Sequence, residues 1–309
     1  HNRVTRRIQL APFTLRETEA YLSYLNIVWE RRDIALAYMT FGGIPFYLNQ
    51  LRPGMSYAQN VDALCFEKDA FMRGEFEALY SSLFRNADAH VDILEALSAK
   101  KRGLTREEIL ARTGLTSGGG ASVVLRELEQ CGFIEKFNDY SGKHGRYVYQ
   151  LTDFFTLFYF KQMKRNKQLG SGYWSKMIGS GAYYNWAGQT FEKLCLLHIE
   201  NIRAKLGISG ILATPFAWNG SGTDAGAQID LLIDRTDGII NIVECKFAGE
   251  PFVVDKQYSE NLRNKTSAFK QTSKTRKALH LTMITTFGVK ANKYAGMIQS
   301  EVLLDDLFM

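Results

Sequence analysis

Two short apolar segments carry ionisable residues at positions that a folded chain would bury. Residues 228–234 and 239–247 are rich in Ile, Leu and Val and are separated by a short turn sequence. This pattern is typical of two adjacent β-strands. Asp230 lies in the first segment, and Glu244 and Lys246 lie in the second. Because a buried charge without a partner is costly, these three residues must meet partners in the fold.

The turn between the two strands determines which residues oppose each other. A three-residue loop with Gly238 in the left-handed conformation pairs Asp230 directly opposite Glu244. Lys246 then shares the face of Glu244, because side chains alternate between the two faces of a strand. A two-residue loop would shift the register by one residue and place Asp230 and Glu244 on opposite faces. We therefore predict the odd-length loop.

Acidic residues on adjacent strands can form a metal site. Two carboxylates suit a hard cation such as Mg2+ or Mn2+, so Asp230 and Glu244 are candidate metal ligands. A lysine at position 246 can orient an attacking water or stabilise negative charge on a phosphate. Metal-assisted phosphodiester hydrolysis uses such groups. The alternative is a cross-strand salt bridge in an ordinary sheet, since Glu-x-Lys is a common sequence.

The order of elements around this hairpin resembles the core of the PD-(D/E)XK nuclease superfamily. We expect the hairpin to be accompanied by a helix at 186–206, a strand at 211–218, a helix at 255–277, a strand at 278–287 and a further strand at 301–308. The resemblance implies metal binding by Asp230 and Glu244 and a catalytic role for Lys246. Ile229 stands where the family usually has proline before the aspartate.

Glu192 is the fourth candidate for the catalytic site. It lies in the first predicted helix, on the apolar stripe that includes Cys195 and Ile199. A carboxylate on that stripe needs a partner. The family often has a helix glutamate at the metal, which implies that Glu192 assists catalysis. The alternatives are a glutamate at the stripe edge that reaches solvent, or one that pairs with Lys193 or Arg203.

The helix predicted at residues 255–277 carries an excess of basic side chains. Seven Lys and Arg residues oppose Asp255 and Glu260, and clustered cations beside a metal site attract a phosphate backbone. DNA is therefore the expected partner. The residues predicted to contact it are Lys256, Lys270, Gln271 and Lys274. The alternative is a charged helix face that is merely solvated.

Length and composition limit the class of protein. A chain of 309 residues favours two or three domains, and a net charge of +6 permits a nucleic-acid partner without requiring one. Four cysteines are scattered along the chain, as expected for reduced thiols in a cytoplasmic protein. No apolar run is long enough for a membrane span, so no membrane association is expected. The chain begins with His1, and we expect it to be a fragment.

Residues 85–150 have the element order of a winged helix. Helices are predicted at 91–98, 104–114 and 121–130, followed by a hairpin of residues 133–137 and 146–150. Thr105 and Glu108 form the expected capping box of the second helix.

The charges on this predicted winged helix argue against recognition of bases in the DNA major groove. The third helix sets Arg126 against Glu127 and Glu129, so it has no basic face for the DNA major groove. The residues that could touch backbone phosphates from the wing are Lys136, Lys143, His144 and Arg146. Packing against a neighbouring domain is the alternative role of this module.

A second resemblance covers almost the whole chain. Residues 1–84 read as helical, with Thr14 and Glu17 as a capping box, and they contain a Gly-Gly-Ile-Pro block at residues 42–45. Together with the winged helix and the aromatic run at 149–159, this order is similar to the archaeal-type family of signal-transducing P-loop ATPases. The resemblance implies a helical lid at 1–84, a winged helix at 85–150, an aromatic linker helix at 151–181 and a nuclease-like domain at 182–309.

The nucleotide-binding core of that ATPase family has no counterpart in this sequence. A Gly-x-x-x-x-Gly-Lys-Ser/Thr phosphate loop is absent. ATP is therefore expected to act only through a separate core, which is an implied partner, and the chain alone is not expected to hydrolyse ATP. Arg3, Arg6 and Arg7 are either nucleotide-facing in an intact protein or solvated surface.

These observations predict a multidomain α+β fold with a helical lid, a winged helix and a C-terminal α/β restriction-endonuclease-like domain. The first functional hypothesis is metal-dependent hydrolysis of DNA by the last domain, through Glu192, Asp230, Glu244 and Lys246. The second is an inactive nuclease fold that serves as a regulatory or interaction module and uses the winged helix for assembly or nucleic-acid binding. Oligomerisation is compatible with either hypothesis.

Overall fold

The first part of the chain is helical. The computed structural model describes residues 10–140, 147–166, 170–219 and 228–309. The predicted capping box of Thr14 and Glu17 is confirmed at the start of the first helix. The helices of this part are α1 (Leu15–Tyr24), α2 (Arg31–Phe41), α3 (Pro45–Leu48), α4 (Tyr57–Val61) and α5 (Met72–Leu83), and a π-helical turn, Asp62–Phe66, follows α4.

Three helices and a hairpin follow, close to the predicted positions. They are α6 (Asp88–Ser98), α7 (Arg106–Thr113), α8 (Gly119–Gln130) and the antiparallel strands β1 (Ile134–Asn138) and β2 (Tyr147–Leu151). Residues 88–151 are called the three-helix unit below. The capping box of Thr105 and Glu108 is confirmed at the start of α7.

A tight turn connects α6 to α7. The Gly103 amide donates to the Lys100 carbonyl at 3.1 Å, and Gly103 has a φ of 82° that favours glycine. Leu104 and Tyr149 then exchange two backbone hydrogen bonds, at 3.0 and 2.8 Å. The turn at residues 100–103 is thus fixed to β2, and it determines where the side chain of Lys101 points.

An aromatic segment connects the three-helix unit to the rest of the chain. It forms α9 (Phe154–Phe158), a π-helical turn (Tyr159–Met163) and α10 (Tyr173–Met177). Phe155, Phe158 and Trp174 are fully buried. All three lie in one apolar core with side chains from neighbouring parts of the chain.

The single helix predicted at residues 186–206 is wrong in one respect. The structure has α11 (Gly181–Leu197) and α12 (Ile199–Lys205), with a break at His198. The buried ring of His198 lies against α1, where its Nε2 accepts from the Leu15 amide at 3.1 Å. At this break His198 contacts both α11, through Leu194, and α1, through Leu15.

A five-stranded mixed sheet forms the last part. Its elements are β3 (Ala213–Asn219), β4 (Gln228–Arg235), β5 (Ile239–Lys246), α13 (Lys256–Ser273), β6 (Ala278–Thr285) and β7 (Ser300–Leu303). Strand order follows the chain; β3, β4 and β5 are antiparallel, and β6 and β7 add in parallel. The predicted strand at 301–308 is wrong after Leu303, where a 3-10 turn (Leu304–Phe308) replaces it. The fold is therefore mixed α+β.

The predicted hairpin register is confirmed. β4 and β5 pair from Leu231 with Val243 to Asp234 with Ile240. The loop between them has three residues, and Gly238 has a φ of 86°. The bridged pairs end at Leu231, so the predicted pairing of Asp230 with Glu244 is not among them.

The sheet separates two apolar cores. The larger core contains Phe191 and Leu194 of α11, and the smaller core contains Leu262 and Phe269 of α13. α11 and α13 therefore cover opposite faces of the sheet. The larger core extends from Leu15 to Phe308 and draws side chains from α1, the three-helix unit, the aromatic segment and the sheet.

No helix among the described residues has the length and apolar character that crossing a bilayer requires.

Candidate functional site

Asp230 lies at an irregularity in β4. Phe216 pairs with Leu232 and Trp218 pairs with Ile229, so Asp230 and Leu231 together oppose a single residue of β3. This is the arrangement of a β-bulge, which redirects side chains. The Asp230 Oδ2 atom accepts from the Cys245 backbone amide of β5 at 3.0 Å. The carboxylate therefore lies between the two strands, where a ladder hydrogen bond would otherwise form.

The second oxygen of Asp230 meets a lysine that the sequence analysis did not select. The Lys101 Nζ lies 3.0 Å from Asp230 Oδ1 and 2.6 Å from Glu192 Oε1. The side chains of Asp230, Glu192 and Lys101 are 5%, 15% and 30% exposed. Two carboxylates, from β4 and from α11, thus share one ammonium group in a largely buried position.

Burial and the neighbouring charges shift the pKa values of Glu192 and Lys101. Burial raises the pKa of Glu192 to about 8, the charge of Asp230 adds to the rise, and Lys101 opposes it. Burial lowers the pKa of Lys101, but the two carboxylates outweigh burial and the net pKa is raised. Lys101 therefore stays charged, and a single ammonium group serves two acids.

Glu244 has a different partner. Its carboxylate is fully buried and accepts from Lys265 Nζ of α13 at 2.7 and 2.8 Å, and the Tyr258 hydroxyl lies 3.5 Å away. Burial raises the pKa of Glu244, and the charge of Asp230 adds to the rise, while Lys265 opposes it. Glu244 is thus directed to the α13 face of the sheet, within electrostatic reach of Asp230.

Lys246 lies on the same face as Glu244, as predicted. Its Nζ lies 5.2 Å from the centre of the Tyr258 ring, which is a cation–π distance. The positive charge of Lys246 lowers the pKa of both Glu192 and Glu244, against the larger effect of burial. Lys246 therefore stands within electrostatic reach of both carboxylates.

The structure divides the predicted site into two neighbouring ion-paired groups. Asp230 and Glu192 share Lys101, whereas Glu244 pairs with Lys265. In the described part of the chain, no three acidic, His or Cys side chains converge as a ready metal site. Of the predicted alternative partners of Glu192, Arg203 pairs with Glu200 instead. The charge of Glu192 raises the pKa of Lys193 against the larger effect of burial, but the ion pair of Glu192 is with Lys101.

A narrow cleft runs beside Asp230. It lies between the three-helix unit, α11 and the start of β4, and has a volume of about 40 Å3. Its lining includes Lys101, Gln150, Glu192, Lys193 and Asp230. Burial lowers the pKa of Lys193 to about 8. A space of this size holds little more than a water molecule or two.

Three of the residues predicted to contact DNA lie on α13, and Lys274 follows it, because the helix predicted at 255–277 ends at Ser273. Lys256, Lys270, Gln271 and Lys274 are all exposed. Two other basic residues counted on this helix are engaged internally: Lys265 with Glu244, and Lys277 with Asp234 at 2.5 Å. The basic surface is therefore smaller than the sequence count indicated.

Several sequence-based expectations lie outside the described residues. They concern Arg3, Arg6 and Arg7 near the start, and Lys143, His144 and Arg146 of the predicted wing. The remaining wing residue, Lys136, pairs with Glu129 at 2.7 Å.

Comparison with known proteins identified no relative of this chain. No protein-family model, curated protein or solved structure matches the chain.

Proposed function

We propose that residues 182–309 hydrolyse phosphodiester bonds of DNA with the help of a divalent metal ion. The observation that carries this proposal is the convergence of the Glu192 and Asp230 carboxylates on one cationic nitrogen, at 2.6 and 3.0 Å. Two buried carboxylates aimed at a common cation position are the donors that Mg2+ and Mn2+ prefer.

The topology supports this proposal. A helix, three antiparallel strands, a second helix and a parallel strand follow in the order of the PD-(D/E)XK nuclease core. The elements at residues 88–151 likewise have the order of a winged helix, and residues 10–84 that of a helical lid. In this proposal ATP would act only through a nucleotide-binding core supplied as a partner.

Each site residue has a defined role in the proposal. Glu192 and Asp230 bind the cation, and a bound divalent ion would activate water and stabilise charge on the phosphate. Lys246 positions the attacking water. Glu244 pairs with Lys265 and lies on the same face of the sheet as Lys246. The exposed basic side chains of α13 and of the residue that follows it hold the DNA backbone: Lys256, Lys270 and Lys274, with Gln271 beside them.

A plasmid-nicking assay tests this function. Supercoiled DNA is incubated with the protein and Mg2+ or Mn2+, and nicked product is measured for wild type, Asp230→Asn, Glu192→Gln and Lys246→Ala. We expect each substitution to reduce cleavage at least about 100-fold, because each removes a metal ligand or the group that positions the attacking water. Glu260→Gln, which changes an exposed acid on α13, is the matched control and should cleave like wild type. Cleavage that survives Asp230→Asn would refute the proposal.

A second function is favoured by the internal lysines. Lys101 and Lys265 already neutralise the buried acids without any metal, as in a structural ion-pair network. In that case the chain is an interaction module that keeps a nuclease-like fold. Absence of cleavage with every metal and DNA form, combined with DNA or protein binding by the chain, would favour this second function.

A further inference from the structure

We propose that Lys101 is a built-in competitor of the metal ion, so that the three-helix unit controls access to the site. The ammonium of Lys101 occupies the cation position between Glu192 and Asp230, and a metal ion binds there only after Lys101 withdraws. This inference rests on the proposed metal-dependent function and names the regulation of that same site.

The geometry makes the two cations mutually exclusive. Lys101 Nζ lies 2.6 Å from one oxygen of Glu192 and 3.0 Å from one oxygen of Asp230. The other Asp230 oxygen accepts from the Cys245 amide. A divalent ion would bind the same oxygens at about 2.1 Å. Two positive charges separated by so little repel strongly where water is largely excluded. The side chain of Lys101 must therefore leave before an ion can enter.

The competitor is held in place by a different part of the chain from the acids. The turn at residues 100–103 is anchored to β2, where Gly103 lies so close that an added Cβ would meet the Tyr149 carbonyl oxygen at 2.4 Å. Gln150 Nε2 also donates to the Arg102 carbonyl at 3.4 Å. The backbone that carries Lys101 thus moves with the three-helix unit. A shift of this unit away from α11 would withdraw the lysine and widen the narrow cleft together.

The narrow cleft supports the same conclusion. Among the described residues it has a volume of about 40 Å3 beside the acids, which holds little more than a water molecule or two. A state in which Lys101 occupies the site and the cleft is closed is a resting state. A partner that draws the three-helix unit away from α11 would release it.

Calorimetric titration with Mn2+ is the first test. Wild type, Lys101→Met and Lys100→Met are compared; Lys100 is exposed and precedes Lys101 in the same turn, so it is the matched control. An internal competitor raises the apparent dissociation constant for the metal, so removing the competitor lowers that constant. We expect Lys101→Met to bind Mn2+ at least about tenfold more tightly than wild type and Lys100→Met. Equal or weaker binding by Lys101→Met would overturn the inference.

The second test uses the wild-type protein, so its result does not depend on whether a variant folds. Acetylation of lysines is followed by mass spectrometry with and without saturating Mn2+. We expect Lys101 to be protected without metal and to react several times faster with it, while Lys100 reacts at the same rate in both. Unchanged protection of Lys101 at saturating Mn2+ would overturn the inference.

The outcomes separate this inference from the proposed function. If Lys101→Met binds Mn2+ more tightly but no form cleaves DNA, the inference stands and the nuclease function fails. If wild type cleaves DNA while Lys101→Met binds Mn2+ no better, the nuclease function stands and the inference fails. If no form binds Mn2+, both fail.

Discussion

At the scale of single residues, the fold is marked by buried acids that take lysine partners from distant parts of the chain. Lys101 lies in a turn between α6 and α7, and Lys265 lies on α13. The sequence predicted that Asp230, Glu192 and Glu244 would be buried and need partners, because they lie on apolar strands or an apolar stripe. It did not identify the lysines. Lys265 reads as part of a solvated helix face, and only the folded chain brings Lys101 to β4.

Loss of one partner of the Glu244 pair should be costly. Lys265→Met leaves a fully buried carboxylate without its ammonium, and we expect the free energy of unfolding to fall by about 3 kcal/mol. Replacing both residues by Met removes the unpaired charge, so the double variant should lose much less. Urea denaturation measures both changes. A double variant as unstable as Lys265→Met alone would contradict this account of the pair.

At the scale of elements, a close contact fixes the end of α2 against the segment before α1. The Phe13 amide donates to the Gly43 carbonyl at 2.7 Å, and a Cβ on Gly43 would lie 2.1 Å from the Phe13 carbonyl oxygen. Gly42, which caps α2, has a φ of 70°. Glycine is thus favoured at position 42 by the backbone conformation and at position 43 by the close approach of Phe13.

Gly43→Ala should therefore destabilise the protein. The added methyl group must push the two backbones apart, and we expect a loss of about 2 kcal/mol in the free energy of unfolding. Gly74→Ala is the matched control, because Gly74 lies in α5 with open space around its would-be Cβ. That change should stabilise by about 0.5 kcal/mol through helix propensity. Equal effects of the two substitutions in thermal denaturation would refute the close contact.

The break between α11 and α12 depends on a neutral histidine. His198 Nδ1 donates to the Leu194 carbonyl at 3.0 Å while Nε2 accepts from the Leu15 amide, so the ring has no room for a second proton. Burial lowers the pKa of His198, partly opposed by the hydrogen bond to Leu194. The unfolded state thus binds the proton more readily than the folded state, and the stabilisation is complete above the unfolded pKa of about 6.5.

Stability should consequently fall as the pH drops below about 6.5 towards the lowered folded pKa of His198. His198→Gln removes the titrating ring and should remove this part of the pH dependence, whereas His280→Gln leaves His198 in place and should retain it. Urea midpoints between pH 5 and 8 provide the measurement. An unchanged pH slope in His198→Gln would show that this ring is not the cause.

Local sequence rules predicted elements well where the chain determines its own geometry. The capping boxes at Thr14 and Thr105 and the three-residue loop ending at Gly238 depend on neighbouring residues, and all three are confirmed. The bulge at Asp230 and the helix break at His198 depend on contacts with β3 and α1, which are distant in sequence. Such features leave no periodic signal in a single sequence.

At the scale of the whole molecule, one large core joins parts that the sequence assigned to separate domains. Trp174 and Trp186 lie in this larger core, whereas Trp218 lies in the smaller core on the other side of the sheet. Both cores share β4 and β5, because alternate residues of these strands enter each core. Separate unfolding of one part would therefore expose the apolar surface of the others.

We expect the described parts of the chain to unfold together. Urea denaturation followed by tryptophan fluorescence and by far-UV circular dichroism should give one transition with the same midpoint, since a shared core couples its contributors. Two separated transitions would contradict the single core and would favour independently stable domains.

We propose that Glu192 and Asp230 form the cation site of this protein. The most direct measurement is anomalous diffraction at the manganese edge from crystals grown with Mn2+. The account predicts a peak at coordination distance from both carboxylates, with the Lys101 ammonium displaced from its positions 2.6 and 3.0 Å from them. A peak at another site, or no peak with Lys101 still between the two acids at saturating Mn2+, would contradict it.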